Sequence, residues 1–104
     1  MHSISLLGYG MDEELAQAFG ALAHPQRIAI LRLLGKAGQG GLQFGSIVHA
    51  VQLPTTTASS HMAVLKKGGF VIGHGGDRRG LYRLNPGFLD ALGANLSHIS
   101  IGTG

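Results

Sequence analysis

The chain has 104 residues, 44% of them hydrophobic, a net charge of +3 and no cysteine. That length predicts one domain with a modest core that a partner subunit would help to stabilise, and the hydrophobic fraction excludes a disordered tail. The missing cysteines exclude disulfides, thiolate metal sites and cysteine nucleophiles.

The first ten residues, MHSISLLGYG, hold too short an apolar run for a signal peptide, and no stretch approaches membrane-spanning length. The expectation is a cytoplasmic protein: an N-terminal extension over 1–11, flexible or helical, a folded domain over 12–99, and a frayed tail over 100–104. Asp12 can cap a first helix running to about Ala23, in which Leu15, Ala18, Phe19 and Leu22 fall at i, i+3, i+4 and i+7. Asp12, Glu13 and Glu14 lie at its N-terminal end, where the helix dipole favours acids. His24 precedes Pro25 and is pushed away from helical angles, so a second helix starts at Pro25 and runs to about Lys36. Ile28, Ile30, Leu31, Leu33 and Leu34 cover more than one of its faces, which predicts the most buried helix of the fold.

GKAGQGG is a loop, and LQFGSIVHAV reads as a short third helix with Phe44, Ile47, Val48 and Val51 apolar. After the tight turn QLP, a fourth helix runs from Pro54 to Gly68. Ala58, Met62 and Leu65 point one way along it, and Thr55, Thr56, Ser59, Ser60 and Ala63 the other. The helix ends at KKGG, where Lys66 and Lys67 suit the C-terminal dipole and glycine the left-handed cap. Phe70, Val71 and Ile72, then Leu81, Tyr82 and Leu84, favour extended chain and make a hairpin with Arg78 and Arg79 at its glycine-rich tip. Asn85 and Pro86 start a last helix lined by Phe88, Leu89, Leu92, Leu96 and Ile99. The expected fold is mainly α with a small β-hairpin, in the order H-H-H-H-E-E-H.

The charge is unevenly placed. Three acids cancel three bases up to Leu53; from Pro54 to Asn85 five bases (Lys66, Lys67, Arg78, Arg79 and Arg83) face one acid, Asp77. One contiguous third of the chain carries the basic excess, which suits an anionic polymer. The third and fourth helices and their turn form a helix-turn-helix pattern, whose second helix enters a major groove. A groove-reading face needs small side chains for close approach and hydroxyls to meet base edges or phosphate oxygens. Thr55, Thr56, Thr57, Ser59 and Ser60 supply these, and threonine methyls can touch a thymine methyl. A solvated polar face is the competing reading of the hydroxyls taken alone. A hairpin directly after such a helix is a wing, placing Arg78 and Arg79 near a minor groove or phosphates, unless they only solvate a turn. Lys66 and Lys67 either touch phosphate or only complement a helix end, and His61 is either packed or DNA-facing.

ALAHPQRIAILRLL, SSHMAVLKKGGFV, the Gly/Arg hairpin and LYRL together resemble the winged helix-turn-helix repressors of the ArsR/SmtB type, over residues 12 to about 98. The resemblance implies a homodimer that binds palindromic double-stranded DNA, with residues 54–68 as recognition helix and 73–80 as wing. It also implies a dimer contact between the first and last helices, which assigns Leu15, Phe19, Leu89, Leu92 and Leu96 to the interface. Members often carry Arg before the helix histidine, where this chain has Ser60. Many sense metals through cysteines on the third helix, absent from LQFGSI, or through Asp and His ligands on the last helix, where only Asp90 and His98 stand. No metal site or cofactor is therefore expected. His2, His24, His49, His61, His74 and His98 are scattered without paired ligand spacing and read as structural or surface side chains.

No enzyme signature emerges. Ser60 and His61 are helix neighbours that diverge by about 100°, and GHGGDRRG and GKAGQGG match neither a dinucleotide nor a P-loop pattern. The expected function is a dimeric DNA-binding repressor with an unidentified small-molecule effector. The alternatives are a winged-helix protein-interaction module and a His/Asp metal-responsive repressor.

Overall fold

The computed structural model describes residues 12–75 and 79–99. The expected N-terminal extension, the tail over 100–104, and the placement of His2, Asp77 and Arg78 lie outside the described residues. Five helices are described: α1 (Asp12–Leu22), α2 (Pro25–Ala37), α3 (Phe44–Val51), α4 (Thr55–Lys67) and α5 (Pro86–Ser97). Three short strands accompany them: β1 (Leu42–Gln43), β2 (Val71–His74) and β3 (Leu81–Leu84). Among the described residues no helix is long and apolar enough to cross a membrane.

His24 takes the extended angles that a following proline imposes (φ −156°, ψ 116°), and Pro25 opens α2. Ile30 and Leu34 of α2 are fully buried and Leu31 and Leu33 half-buried, whereas Ile28 is 40% exposed. The broad apolar coverage expected for this helix therefore narrows to one side, with Ile28 left on the solvent side.

The sheet is one strand larger than the expected hairpin. Its order is β1-β3-β2, all antiparallel, with Leu42 opposite Tyr82 and Gln43 opposite Leu81. The sequence pattern puts Leu42 and Gln43 inside the third helix; two residues carry no periodicity of their own, and the free edge of β3 captures them. Gly41 makes the approach possible. Its φ is +72°, and a Cβ there would collide with the Tyr82 carbonyl.

The end of α4 carries the glycine cap expected of KKGG, at the second glycine. Gly68 stays helical (φ −73°), its N–H donating to the Val64 carbonyl at 2.9 Å. The left-handed residue is Gly69 (φ +97°), where a Cβ would stand 2.9 Å from the Phe88 ring. The reversal thus falls where the chain passes under an aromatic side chain. Phe70 then turns into the core, its ring 4.9 Å from that of Phe88 in an edge-to-face contact. Asn85 caps α5 as expected. Its side-chain oxygen accepts from Phe88 N–H at 3.4 Å, and its amide donates to the Gly69 carbonyl at 3.1 Å, tying the start of α5 to the end of α4.

The core gathers Ile30 and Leu34 of α2, Ile47 of α3, Ala58, Met62 and Leu65 of α4, and Phe70, Val71 and Tyr82 around the sheet. The apolar side of α4 is the one its spacing implies, and it sits against α2 and β2. That packing decides which side of α4 meets solvent.

Candidate nucleic-acid interface

The α3–α4 turn is three residues long, Gln52 to Pro54. Gln52 is left-handed (φ 54°, ψ 43°), and its N–H donates to the Val48 carbonyl at 2.9 Å. Pro54 is extended (φ −56°, ψ 145°), and its carbonyl accepts from Ala58 N–H at 2.9 Å, so α4 is under way within one turn. Helix-turn-helix geometry follows, with Phe44 and Ile47 of α3 and Ala58 and Met62 of α4 buried in one core.

With that side of α4 buried, Thr55, Thr56, Ser60, Ala63, Lys66 and Lys67 are exposed, and Thr57 and Ser59 are half-buried. The hydroxyl row and the two lysines therefore share the outward side of one helix. The sheet flanks that side. A cleft of about 430 Å³ is lined by Ser59, Met62, Ala63, Lys66 and Lys67 together with Tyr82 of β3. Lys66 also passes over Gly73 of β2, within 3.6 Å of where a Cβ would stand, and the Tyr82 ring would be 2.7 Å from that Cβ. Gly73 is thus the gap in the wing's root through which ring and lysine approach each other. No sequence pattern singles out Gly73 or Tyr82, because their pairing depends on the β2–β3 register. At the wing tip Arg79 is exposed, and the placement of Arg78 lies outside the described residues. Arg83 is turned to the other end of the sheet, donating to Gln39 Oε1 at 3.2 Å.

Of the two readings of His61, packed or DNA-facing, the structure takes the packed one, and His61 leaves the group of DNA-contact candidates. It is 6% exposed and lies on the core side of α4. Arg27 Nε donates to its Nδ1 at 3.1 Å, and its Nε2 lies 3.0 Å from Gln26 Oε1. Because Nδ1 accepts, the ring proton sits on Nε2 and is donated to Gln26. The His24 ring meets it edge-on at 4.6 Å. Burial, then the neighbouring His24 and Arg27, push the His61 pKa below its ordinary value. The neutral ring is what the fold prefers, so its contribution to stability is present above the ordinary histidine range and is lost as pH falls.

The residues assigned to a dimer contact divide into three groups. Leu89 and Leu96 of α5 are 36% and 48% exposed, and the neighbouring Ile99 is 66% exposed. Leu15 and Phe19 of α1 are half-buried against the core. Leu92 corrects the expectation: it is 6% exposed and packs inside its own subunit, because α5 turns the Phe88–Ala91–Leu92 side inward. Among the described residues no three His, Cys, Asp or Glu side chains converge on a point that could hold a metal.

No family model matches the sequence, and no curated protein matches it. Solved structures do. An ArsR-like transcriptional regulator from Rhodococcus sp. RHA1 superposes with a TM-score of 0.73 at 26% identity, covering 86% of this chain and 82% of that one. The homodimeric winged helix-turn-helix DNA-binding domain of a Mycobacterium bovis protein gives 0.67 at 28% identity, covering 85% and 80%. A second ArsR family transcriptional regulator, at 23% identity and a TM-score of 0.72 over 84% of this chain and 87% of that one, shares the fold.

Proposed function

We propose that this chain, which carries the winged helix-turn-helix fold of the ArsR-type regulators, is a DNA-binding transcriptional repressor that acts as a homodimer and catalyses no reaction. One observation carries the reading: the hydroxyls and lysines of α4 lie together on its outward side, beside the root of the wing. Lys66, Lys67, Arg79 and Arg78 supply phosphate attraction, and Thr55, Thr56 and Ser60 sit in the major groove, with Thr57 and Ser59 at its edge. A cytoplasmic location follows from that role.

The dimer forms through α1 and α5. Leu89, Leu96 and Ile99 expose more apolar surface than a solvated helix needs, and a homodimer is the state of the Mycobacterium bovis domain. Two-fold symmetry then sets two copies of α4 about 34 Å apart, facing successive major grooves of a palindromic operator. The signal we infer is an unidentified small molecule.

The test is a fluorescence anisotropy titration with duplex DNA from the region upstream of the chain's own coding sequence and with a scrambled duplex, at two salt concentrations. Tighter binding to the upstream duplex, with affinity for both falling steeply with salt, is expected. Equal, salt-insensitive or absent binding would overturn the reading and leave a protein-interaction module.

A further inference from the structure

The outward side of α4 is oriented by what its inward side is fastened to. Most of that inward side is apolar, and apolar contact alone permits a helix to roll by small steps. One directional contact interrupts it. His61, at the middle of α4, has both ring nitrogens engaged by consecutive residues of the first turn of α2: Gln26 Oε1 at 3.0 Å and Arg27 Nε at 3.1 Å. Arg27 is fixed in turn, its terminal nitrogen donating to the Ala21 carbonyl of α1 at 3.3 Å. The His24 ring closes the side toward the α1–α2 joint. Three elements therefore meet at one imidazole. Ser60, beside it in sequence, is on the exposed side.

We propose that His61 is the positioning residue that sets the seat of the recognition helix, and that only its neutral Nε2–H form does so. The inference rests on the DNA-binding reading above and deepens it. The chemistry is a matter of donors. A second proton would sit on Nδ1 and turn that acceptor into a donor facing the Arg27 Nε–H, with two like charges in contact. Arg27 must then withdraw, and the link from α4 through Arg27 to α1 opens. The groups facing the ring are His24 and Arg27, and both disfavour a proton on His61. His49 on α3 and His74 on β2 are exposed, and the acids of α1 stand in its first turn, at the far end from His24.

The sign separates this device from ordinary electrostatics. Exposed histidines that gain a proton add positive charge and tighten DNA binding as pH falls. Protonation of His61 does the reverse. The experiment measures DNA affinity of the wild type and of His61→Asn between about pH 8 and about pH 5.5, alongside an NMR titration of the wild-type histidines. Asparagine keeps an acceptor for Arg27 and cannot charge. We expect the wild type to weaken, relative to the variant, by about tenfold, the equivalent of one hydrogen bond, with the midpoint of His61 itself. Parallel profiles for the two proteins, or a wild type that tightens relative to the variant, would overturn the proposal. The NMR arm stands without DNA and without the variant: backbone amides of Thr55 to Ser60 should shift with the His61 midpoint, and amides that stay still through it would also overturn the proposal. Absence of DNA binding at the higher pH defeats the DNA-binding reading instead, and leaves the positioning role to those amides.

Discussion

Helices α4 and α5 are nearly equal in length and both bury one side in the same core, yet they offer solvent opposite chemistry. The outward side of α4 presents threonine, serine and lysine; that of α5 presents Leu89 and Leu96, with Ile99 just beyond. A hydroxyl row loses a little helix propensity, and an exposed leucine row loses solubility. Each departure has an economical explanation if α4 faces a polyanion and α5 a second copy of itself. The chain then splits recognition from assembly between two helices whose adjoining ends are tied by the Asn85 amide on the Gly69 carbonyl and the Phe70–Phe88 contact.

The largest expected effect comes from breaking assembly. Leu89→Glu with Leu96→Glu puts two charges on the apolar side of α5 without touching the core, since both side chains are exposed. Light scattering should show monomer at micromolar concentration, and affinity for the upstream duplex should fall roughly 100-fold as two linked half-sites become one. A dimer that persists would move the interface off α5. Leu92→Ala sharpens the same contrast from the other side. Leu92 is a core residue, so the substitution should lower unfolding stability by about 2–5 kcal/mol and spare dimerisation in the folded fraction.

Much of this contrast is legible in the sequence. Spacing alone puts Ala58, Met62 and Leu65 on one side of α4 and the hydroxyls on the other, and the Asn85–Pro86 pair marks the start of α5. What is not legible depends on residues far apart in the chain. His61 and Arg27 are 34 positions apart, and nothing local distinguishes a histidine fastened to α2 from one facing a groove. Leu92 and Leu96 look alike at helical spacing, yet one is 6% and the other 48% exposed, because the core beneath α5 reaches the first and not the second. The two-residue β1 is a further case, in which a distant strand edge decides.

Removing the wing's charge comes next in size. Arg78→Ala with Arg79→Ala should weaken binding to every duplex alike and reduce the slope of log affinity against log salt by about 1–2, one unit for each phosphate that is no longer neutralised. An unchanged slope would take the wing off the DNA and leave phosphate attraction to Lys66 and Lys67.

The smallest effect is the most informative about α4. Thr56→Ala with Ser60→Ala removes two exposed hydroxyls and leaves every buried side chain of the helix in place. Alanine is the better helix former, so thermal stability should rise slightly, by roughly a few tenths of a kcal/mol for each site. If those hydroxyls meet base edges, the preference for the upstream over the scrambled duplex should shrink by about 1–3 kcal/mol while affinity for the scrambled duplex stays nearly constant. Equal loss on both duplexes would mean that they touch phosphate alone. A gain in stability with no loss on either duplex would mean that this side of α4 meets water, and the contrast between the two helices would then rest on α5 by itself.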